Sequence, residues 1–505
     1  MDVVPVLSVA DLTVSLADND KVAVVRDFNI ELFPGSITAL VGESGSGKSL
    51  ACLAIMDLLP QALVRTSGVI KYNGQLLSDK NESELRKYRG NDVAYVFQDP
   101  ASCLNPVLSV AAQLDEVMVA HFPQLDADGR KGRALTLLQE VGLGEISVPT
   151  TRYPHQLSGG QRQRLLLALS LAAEPSVLIA DEITTALDPA TQQVIVDLLA
   201  ALCAERQIAL VFITHDIVLA KKIAHNVVVM HDSRVVETGT CHEIFENPQH
   251  AQTSILIDAA SSQHGTVAYS DQSELVLKAE ALSIAYRVPK IFGRAKLKRI
   301  VHNVSFSLRR GQTLAVVGKS GSGKSTIARA VCGLAHHIEG TLELYLSDET
   351  IDLSCTNHKQ MRPYRRHVSM IFQDPTSSLN PLTAVVNSVA EPMLVHLDIS
   401  AVERTERAMQ LLTEVGLDAQ SLAQRLPREL SGGQCQRVAI ARALALNPAV
   451  VVCDEAISSL DITAQREIIE LLSSLQKQRQ LSYLFISHDH ELVDSFAHQV
   501  LRIDD

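Results

Sequence analysis

Short runs of apolar, largely β-branched residues recur along the chain, and each empties into a polar or glycine-rich loop. Ser36-Ile37-Thr38-Ala39-Leu40-Val41 leads into a glycine loop, Val177-Leu178-Ile179-Ala180 into Asp181, and Ala209-Leu210-Val211-Phe212-Ile213 into Thr214-His215. Such continuous runs predict strands covered on both faces, as in a parallel sheet flanked by helices. The residues that follow them then stand at C-terminal strand ends, where open α/β sheets bind ligands. The longest apolar runs, such as Leu165 to Ala173, stop well short of the ~20 residues a membrane helix needs. The pattern therefore predicts a soluble chain, or one held at a membrane by partners.

The same pattern is written twice. Gly42-Glu43-Ser44-Gly45-Ser46-Gly47-Lys48-Ser49 returns, about 275 residues later, as Gly318-Lys319-Ser320-Gly321-Ser322-Gly323-Lys324-Ser325. Phe97-Gln98-Asp99-Pro100 returns as Phe372-Gln373-Asp374-Pro375, and Leu157-Ser158-Gly159-Gly160-Gln161 as Leu430-Ser431-Gly432-Gly433-Gln434. Asp181-Glu182 and His215-Asp216 return as Asp454-Glu455 and His488-Asp489. Five motifs in one order at a nearly constant offset predict two homologous α/β domains, at 1–258 and 274–505, joined by a linker at 259–273. The first copy continues past its histidine through the strand-like run Asn226 to Met230 and then through Val235-Val236-Glu237-Thr238-Gly239. The second ends soon after its own histidine, so it is expected to lack that C-terminal extension.

Composition narrows the classes. With 505 residues, 46% hydrophobic and 20% charged, the chain can build sizeable cores and is not mostly disordered. A net charge of −12 argues against a broad nucleic-acid surface. Eight scattered cysteines without a Cys-x-x-Cys pair read as reduced thiols in a cytoplasmic protein, not as a metal or disulfide framework. The N-terminus shows no secretory signal.

The spacing G-x-x-x-x-G-K-S is a phosphate-binding loop: glycines turn backbone N–H groups inward, and the next helix offers its positive end. Gly42, Ser44, Gly45, Ser46, Gly47, Lys48 and Ser49 form one such loop. Gly318, Ser320, Gly321, Ser322, Gly323, Lys324, Ser325 and Thr326 form the other. The lysines would reach the β- and γ-phosphates, and the hydroxyls of Ser49 and Ser325 would sit on Mg²⁺. Asp181 and Asp454, at strand ends, suit Mg²⁺ directly or through water. Glu182 and Glu455 are placed to orient or deprotonate an attacking water. Gln98 and Gln373 would contact Mg²⁺ or that water, and His215 and His488 the γ-phosphate. Ser158-Gly159-Gly160-Gln161 and Ser431-Gly432-Gly433-Gln434 each open an amphipathic helix and make a second anion-binding N-terminus. One domain does not need two phosphate cradles for one nucleotide, so the second is expected to close on the nucleotide of a neighbouring domain.

On these motifs nearly the whole chain resembles the ATP-binding cassette (ABC) family. The resemblance implies two P-loop domains, each a parallel sheet with flanking helices plus a helical subdomain, that sandwich two ATP molecules head to tail. One site would combine the first loop, Gln98, Asp181, Glu182 and His215 with Ser431 to Gln434. The other would combine the second loop, Gln373, Asp454, Glu455 and His488 with Ser158 to Gln161. Asp188 and Asp461 match the family's dimer-contact loop. Both sites keep a catalytic Glu and a His, so both are expected to hydrolyse ATP.

The shared Gln-Asp-Pro-x-Ser-x-Leu-Asn-Pro, ending at Pro106 and Pro381, is similar to the peptide/nickel importer subfamily, as are Tyr153-Pro154-His155-Gln156 and Phe245-Glu246-Asn247-Pro248. That likeness implies a peripheral motor on the cytoplasmic face of the bacterial inner membrane. It would dock under two transmembrane permease subunits served by an extracytoplasmic solute-binding protein, with no nucleic-acid partner. The alternative, a tandem-cassette translation factor acting on the ribosome, is disfavoured by the short, mildly charged linker. Three positions depart from the family pattern. Tyr286 supplies the expected adenine-stacking aromatic in the second copy, whereas Leu16 stands there in the first, which predicts weaker ATP binding at the first site. Ile183 replaces a frequent Pro and Cys435 a frequent Arg. The basic stretch Arg287 to Arg299 reads as a solvated loop, and His336-His337 as surface.

Overall fold

The computed structural model describes residues 4–77, 80–144, 150–184, 187, 189–261, 273–288, 296–319, 321–335, 337–347, 349–354, 361, 364–457, 460, 462–487 and 489–503. Apart from residues 461–463, the chain divides between positions 261 and 262 into two compact units.

In the first unit the predicted strands form the middle of one sheet. β1 (Leu7–Leu16), β2 (Asn19–Leu32), β3 (Ile37–Gly42), β4 (Leu63–Tyr72), β5 (Gln75–Leu76), β6 (Val93–Val96), β7 (Val177–Asp181), β8 (Ala209–Thr214), β9 (Asn226–His231) and β10 (Arg234–Thr240) stand in the order β5-β4-β1-β2-β10-β9-β3-β8-β7-β6. The block β9-β3-β8-β7-β6 is parallel throughout, while β1, β2, β4 and β5 pair antiparallel. Every residue of β3, β7 and β8 is buried, which is why these segments read as unbroken apolar runs.

One face of this sheet closes over the helix Lys48–Ile55, burying Ala51, Cys52, Ile55, Val25, Phe28 and Leu40 in one core. A second core, with Leu114, Met118, Leu137, Leu138, Leu165 and Leu166, joins helices Val110–His121, Ala127–Glu140 and Gly159–Leu171 into the helical subdomain. Side chains set the starts of these helices: Ser109 accepts from the Ala112 N–H and Asp126 from the Gly129 N–H. An ion pair between Arg206 and Glu140 ties the long helix Pro189–Arg206 to this subdomain.

The second unit repeats the plan. β11 (Leu275–Val288), β12 (Lys296–Arg309), β14 (His337–Tyr345) and β15 (Thr350–Asp352) form an antiparallel sheet in the order β12-β11-β14-β15. β13 (Thr313–Val317), β16 (Val368–Ile371), β17 (Val450–Asp454), β18 (Ser482–Ile486) and β19 (Gln499–Arg502) form a parallel one in the order β16-β17-β18-β13-β19. Arg479 pairs with Glu414 as Arg206 does with Glu140. The motif offsets are thus structural equivalences.

The first unit's extension after β9 consists of β10 and helices Cys241–Glu246 and Ala251–Ser261. The last helix runs through 259–261, which the sequence assigns to the linker; Ala259 and Ala260 are strong helix formers and prolong it. The remainder of that linker, 262–272, lies outside the described residues, as do most of the basic stretch and His336. His337 opens β14, and among the described residues no cluster of His, Cys, Asp or Glu has metal-binding geometry. The seven described cysteines are free. Among the described residues no helix is long and apolar enough to cross a membrane.

Candidate nucleotide sites

Each glycine loop links a buried strand to a helix, and its backbone demands glycine. Gly42 has φ +151°, and a Cβ there would lie 2.1 Å from the Met230 carbonyl oxygen of the paired strand β9. At Gly318 the corresponding Cβ would meet the Ile503 oxygen at 2.4 Å. Gly47 and Gly323, at φ +97° and +99°, cap the helices in the left-handed region that other residues avoid. Lys48 Nζ, buried, donates to the carbonyls of Gly42 (2.9 Å) and Glu43 (2.7 Å); Lys324 Nζ donates to those of Gly318 (2.8 Å) and Lys319 (2.9 Å). Both ammonium groups are thereby held inside the curve of their own loop. Ser46 and Ser322 are buried there, whereas Ser44, Gly45 and Gly321 face solvent. Thr326 is buried in the first turn of the helix Lys324–Val331. Ser320 lies outside the described residues.

The first residues of these helices meet the ends of β7 and β17. Ser49 Oγ donates to Asp181 Oδ1 at 2.9 Å, and Ser325 Oγ to Asp454 Oδ1 at 3.0 Å. Burial pushes both carboxyls above their ordinary range, opposed by the serine hydrogen bonds and the loop lysines; Tyr95 opposes it further at Asp181 and Arg329 at Asp454. A hydroxyl, a carboxylate and a nearby glutamine are the oxygen donors that Mg²⁺ takes, and the glycine-lined curve with a buried lysine suits a polyphosphate. The residues present therefore fit both groups.

One residue further on, Glu182 and Glu455 adopt φ +45° and +48°. Their N–H groups donate to the carbonyls of Ile213 (3.0 Å) and Ile486 (3.1 Å), which fixes this uncommon conformation. The turn lifts each carboxylate out of the strand line toward the glutamine. Gln98 Nε2 donates to Glu182 Oε2 at 2.8 Å, and Gln373 Nε2 to Glu455 Oε2 at 2.9 Å. His215 Nδ1 is 3.5 Å from Glu182 Oε1. His488 lies outside the described residues, as do Asp188 and Asp461. Asp216 and Asp489, beside the two histidines, are helix caps that accept from the N–H groups of Leu219 and Leu492.

Ser158 and Ser431 cap the helices Gly159–Leu171 and Gly432–Leu444, and each makes a full capping box. The Gln161 N–H donates to Ser158 Oγ, while the Ser158 N–H donates to Gln161 Oε1; Ser431 and Gln434 repeat both bonds. The glutamines' carbonyls are thus committed locally, a use the sequence reading did not foresee. Ser158, Gly159, Ser431 and Gly432 are exposed, and Gly160 and Gly433 half-buried. Cys435, buried, takes over a contact that Arg162 makes in the first unit. Arg162 Nε donates to the Pro154 carbonyl, and the Cys435 thiol to the Pro427 carbonyl at 3.4 Å. Ile183 is buried in the subdomain core. Leu16 ends β1 half-buried, and Tyr286 is half-buried on β11 with its hydroxyl lacking a partner among the described residues.

Two contacts escape the sequence reading. Tyr95 donates its hydroxyl to Asp181 Oδ2 at 2.6 Å. Glu43, in the first glycine loop, accepts from Gln252 Nε2 at 3.0 Å, on the extension helix, and lies 3.7 Å from His231 Nδ1. The only sequence signals were a tyrosine inside an apolar run and a carboxylate inside a phosphate loop.

Relatives match the chain along its length. The sequence model of the family described as "ABC transporter" matches residues 25–185 and 301–458. An ABC transporter ATP-binding protein of Escherichia coli (strain K12), YejF, is 40% identical over 98% of this chain and 93% of its own. The peptidoglycan transport ATP-binding protein YejF of Agrobacterium fabrum is 40% identical over 98% and 90%. The glutathione import ATP-binding protein GsiA of E. coli (strain K12) is 38% identical over 99% and 85%. Two phosphate loops, two Ser–Asp pairs and two Gln–Glu pairs in repeated geometry agree with these matches: the chain belongs to the ABC transporter family and carries two of its ATPase domains.

Proposed function

We propose that the chain is the ATP-hydrolysing motor of a bacterial importer for small peptide-bearing solutes. The observation that carries the ATPase part is the duplication of one geometry, with matching Ser–Asp and Gln–Glu bonds in both units. Lys48 and Lys324 would hold the β- and γ-phosphates. Ser49 with Asp181, and Ser325 with Asp454, would hold Mg²⁺, with Gln98 and Gln373 at its edge. Bound there, Mg²⁺ neutralises charge that develops on the transferred phosphoryl group. Glu182 and Glu455 would orient a water and take its proton, each steadied by its glutamine. His215 and His488 would donate to the γ-phosphate.

The exposed Ser-Gly-Gly turns support the family's composite arrangement, in which each unit's turn closes the other unit's nucleotide. The cargo class rests on the relatives' names: glutathione is a peptide, and peptidoglycan carries peptide stems. Those transporter names give the ribosome-acting alternative no support. We place the chain peripherally at the cytoplasmic face of the inner membrane, under two permease subunits fed by a solute-binding protein. Affinity purification of the tagged chain from detergent-solubilised membranes tests this. Two polytopic permeases should co-purify, and co-sedimentation with ribosomes instead would overturn the reading.

A further inference from the structure

The two sites differ at the carboxylate that faces the metal position. Tyr95 lies on β6 opposite Ile179 of β7, and in the second unit Met370 lies on β16 opposite Val452 of β17. The same register point thus carries a hydroxyl in one site and a thioether in the other. Tyr95 is buried, and its ring packs against Phe97 with centroids 4.5 Å apart. Its hydroxyl donates to Asp181 Oδ2 at 2.6 Å, while Ser49 holds Oδ1 at 2.9 Å. Both oxygens of Asp181 are therefore fixed by separate donors, and the carboxylate plane has one orientation. Met370 has no proton to donate to Asp454.

We propose that Tyr95 is a positioning residue for the first site's divalent metal, so that the first site binds Mg²⁺ more tightly than the second. This rests on the reading of Asp181 as a metal-holding residue. Partners that orient a metal-bound carboxylate typically contribute 10–100-fold in metal affinity.

The test is a titration of Mn²⁺, followed by the electron paramagnetic resonance of the free ion, against full chain saturated with a non-hydrolysable ATP analogue. Lys324→Ala confines the measurement to the first site, and Lys48→Ala to the second. Tyr95→Phe should weaken Mn²⁺ binding at the first site about tenfold, with analogue affinity in EDTA unchanged. Tyr95→Met, which copies the second unit, should do the same, and the unaltered first site should bind Mn²⁺ more tightly than the second. Undiminished Mn²⁺ affinity in both Tyr95 variants overturns the inference. So does a parallel loss of metal-free analogue binding, which marks a merely structural role. Asp181→Asn separates the two levels. If it abolishes Mn²⁺ binding while the Tyr95 variants do nothing, only the inference fails; if Asp181→Asn also leaves binding intact, the metal-site reading fails with it.

Discussion

Replacing Glu182 by Gln tests the proposed chemistry with little disturbance of the fold. The side chain keeps its size, its φ of +45° and an oxygen for the Gln98 amide, which now donates at 2.8 Å. What is lost is the charge that accepts a proton from water. A positioned general base contributes about 10²–10⁴ in rate, roughly 3–5 kcal/mol of barrier, so the altered site keeps about 1% of its turnover or less. The other site is intact, with its Gln–Glu bond at 2.9 Å and its Ser–Asp bond at 3.0 Å. If the sites work independently, two such matched sites leave roughly half of the steady-state rate in Glu182→Gln. If each firing requires both, the rate falls to about 1% or less. The assay is phosphate release from full chain at saturating ATP and Mg²⁺, with Glu455→Gln and the double variant alongside. The double variant should fall below about 1%. An unchanged rate in Glu182→Gln refutes the assignment of Glu182 as a base, and substantial activity in the double variant refutes it for both residues.

Gly42→Ala should unfold the first unit selectively, because its Cβ would lie 2.1 Å from the Met230 oxygen at φ +151°. A loss of about 2–4 kcal/mol is expected by urea titration, against about 1 kcal/mol for Gly45→Ala, whose Cβ meets nothing but sits at φ +82°. Asp181→Asn should raise the melting temperature of the metal-free chain. A carboxyl whose folded pKa is raised contributes its stability below the unfolded value, near 3.8, and loses it as pH climbs through the folded value, so the gain should be larger at pH 7 than at pH 4. Ser158→Ala removes one capping box and should cost about 1 kcal/mol in denaturation, while lowering ATPase activity more than that loss of folded chain explains. Isothermal titration of Lys324→Ala and Lys48→Ala chains should show weaker ATP binding at the first site, where Leu16 stands in place of an aromatic; equal affinities would remove that expectation.

The sequence exposed what repeats and hid what depends on distant contacts. The Ser49–Asp181 and Gln98–Glu182 encounters were legible because each residue ends or follows a strand of a parallel block, and such ends converge. The left-handed turn at Glu182 and Glu455 was not, since glutamate has no preference for it; the bonds to Ile213 and Ile486 impose it from β8 and β18. Tyr95 escaped for a related reason. In an apolar run it reads as packing, and only the register of β6 against β7 aims its oxygen at Asp181. The end of the extension helix was misjudged because Ala259-Ala260 followed by serines suits a helix terminus and a linker equally well.

The bond between Gln252 and Glu43 gives the first loop a mechanical neighbour. Glu43 supplies one of the two carbonyls that hold Lys48, and Gln252 belongs to the final helix before the inter-domain segment. Tension or slack transmitted along that helix would arrive at the backbone that cradles the lysine, whereas the second loop carries Lys319 at the same place. A fusion tag or spacer inserted just past residue 261 would therefore not be innocuous: it would be felt as a change in how the first loop holds Lys48.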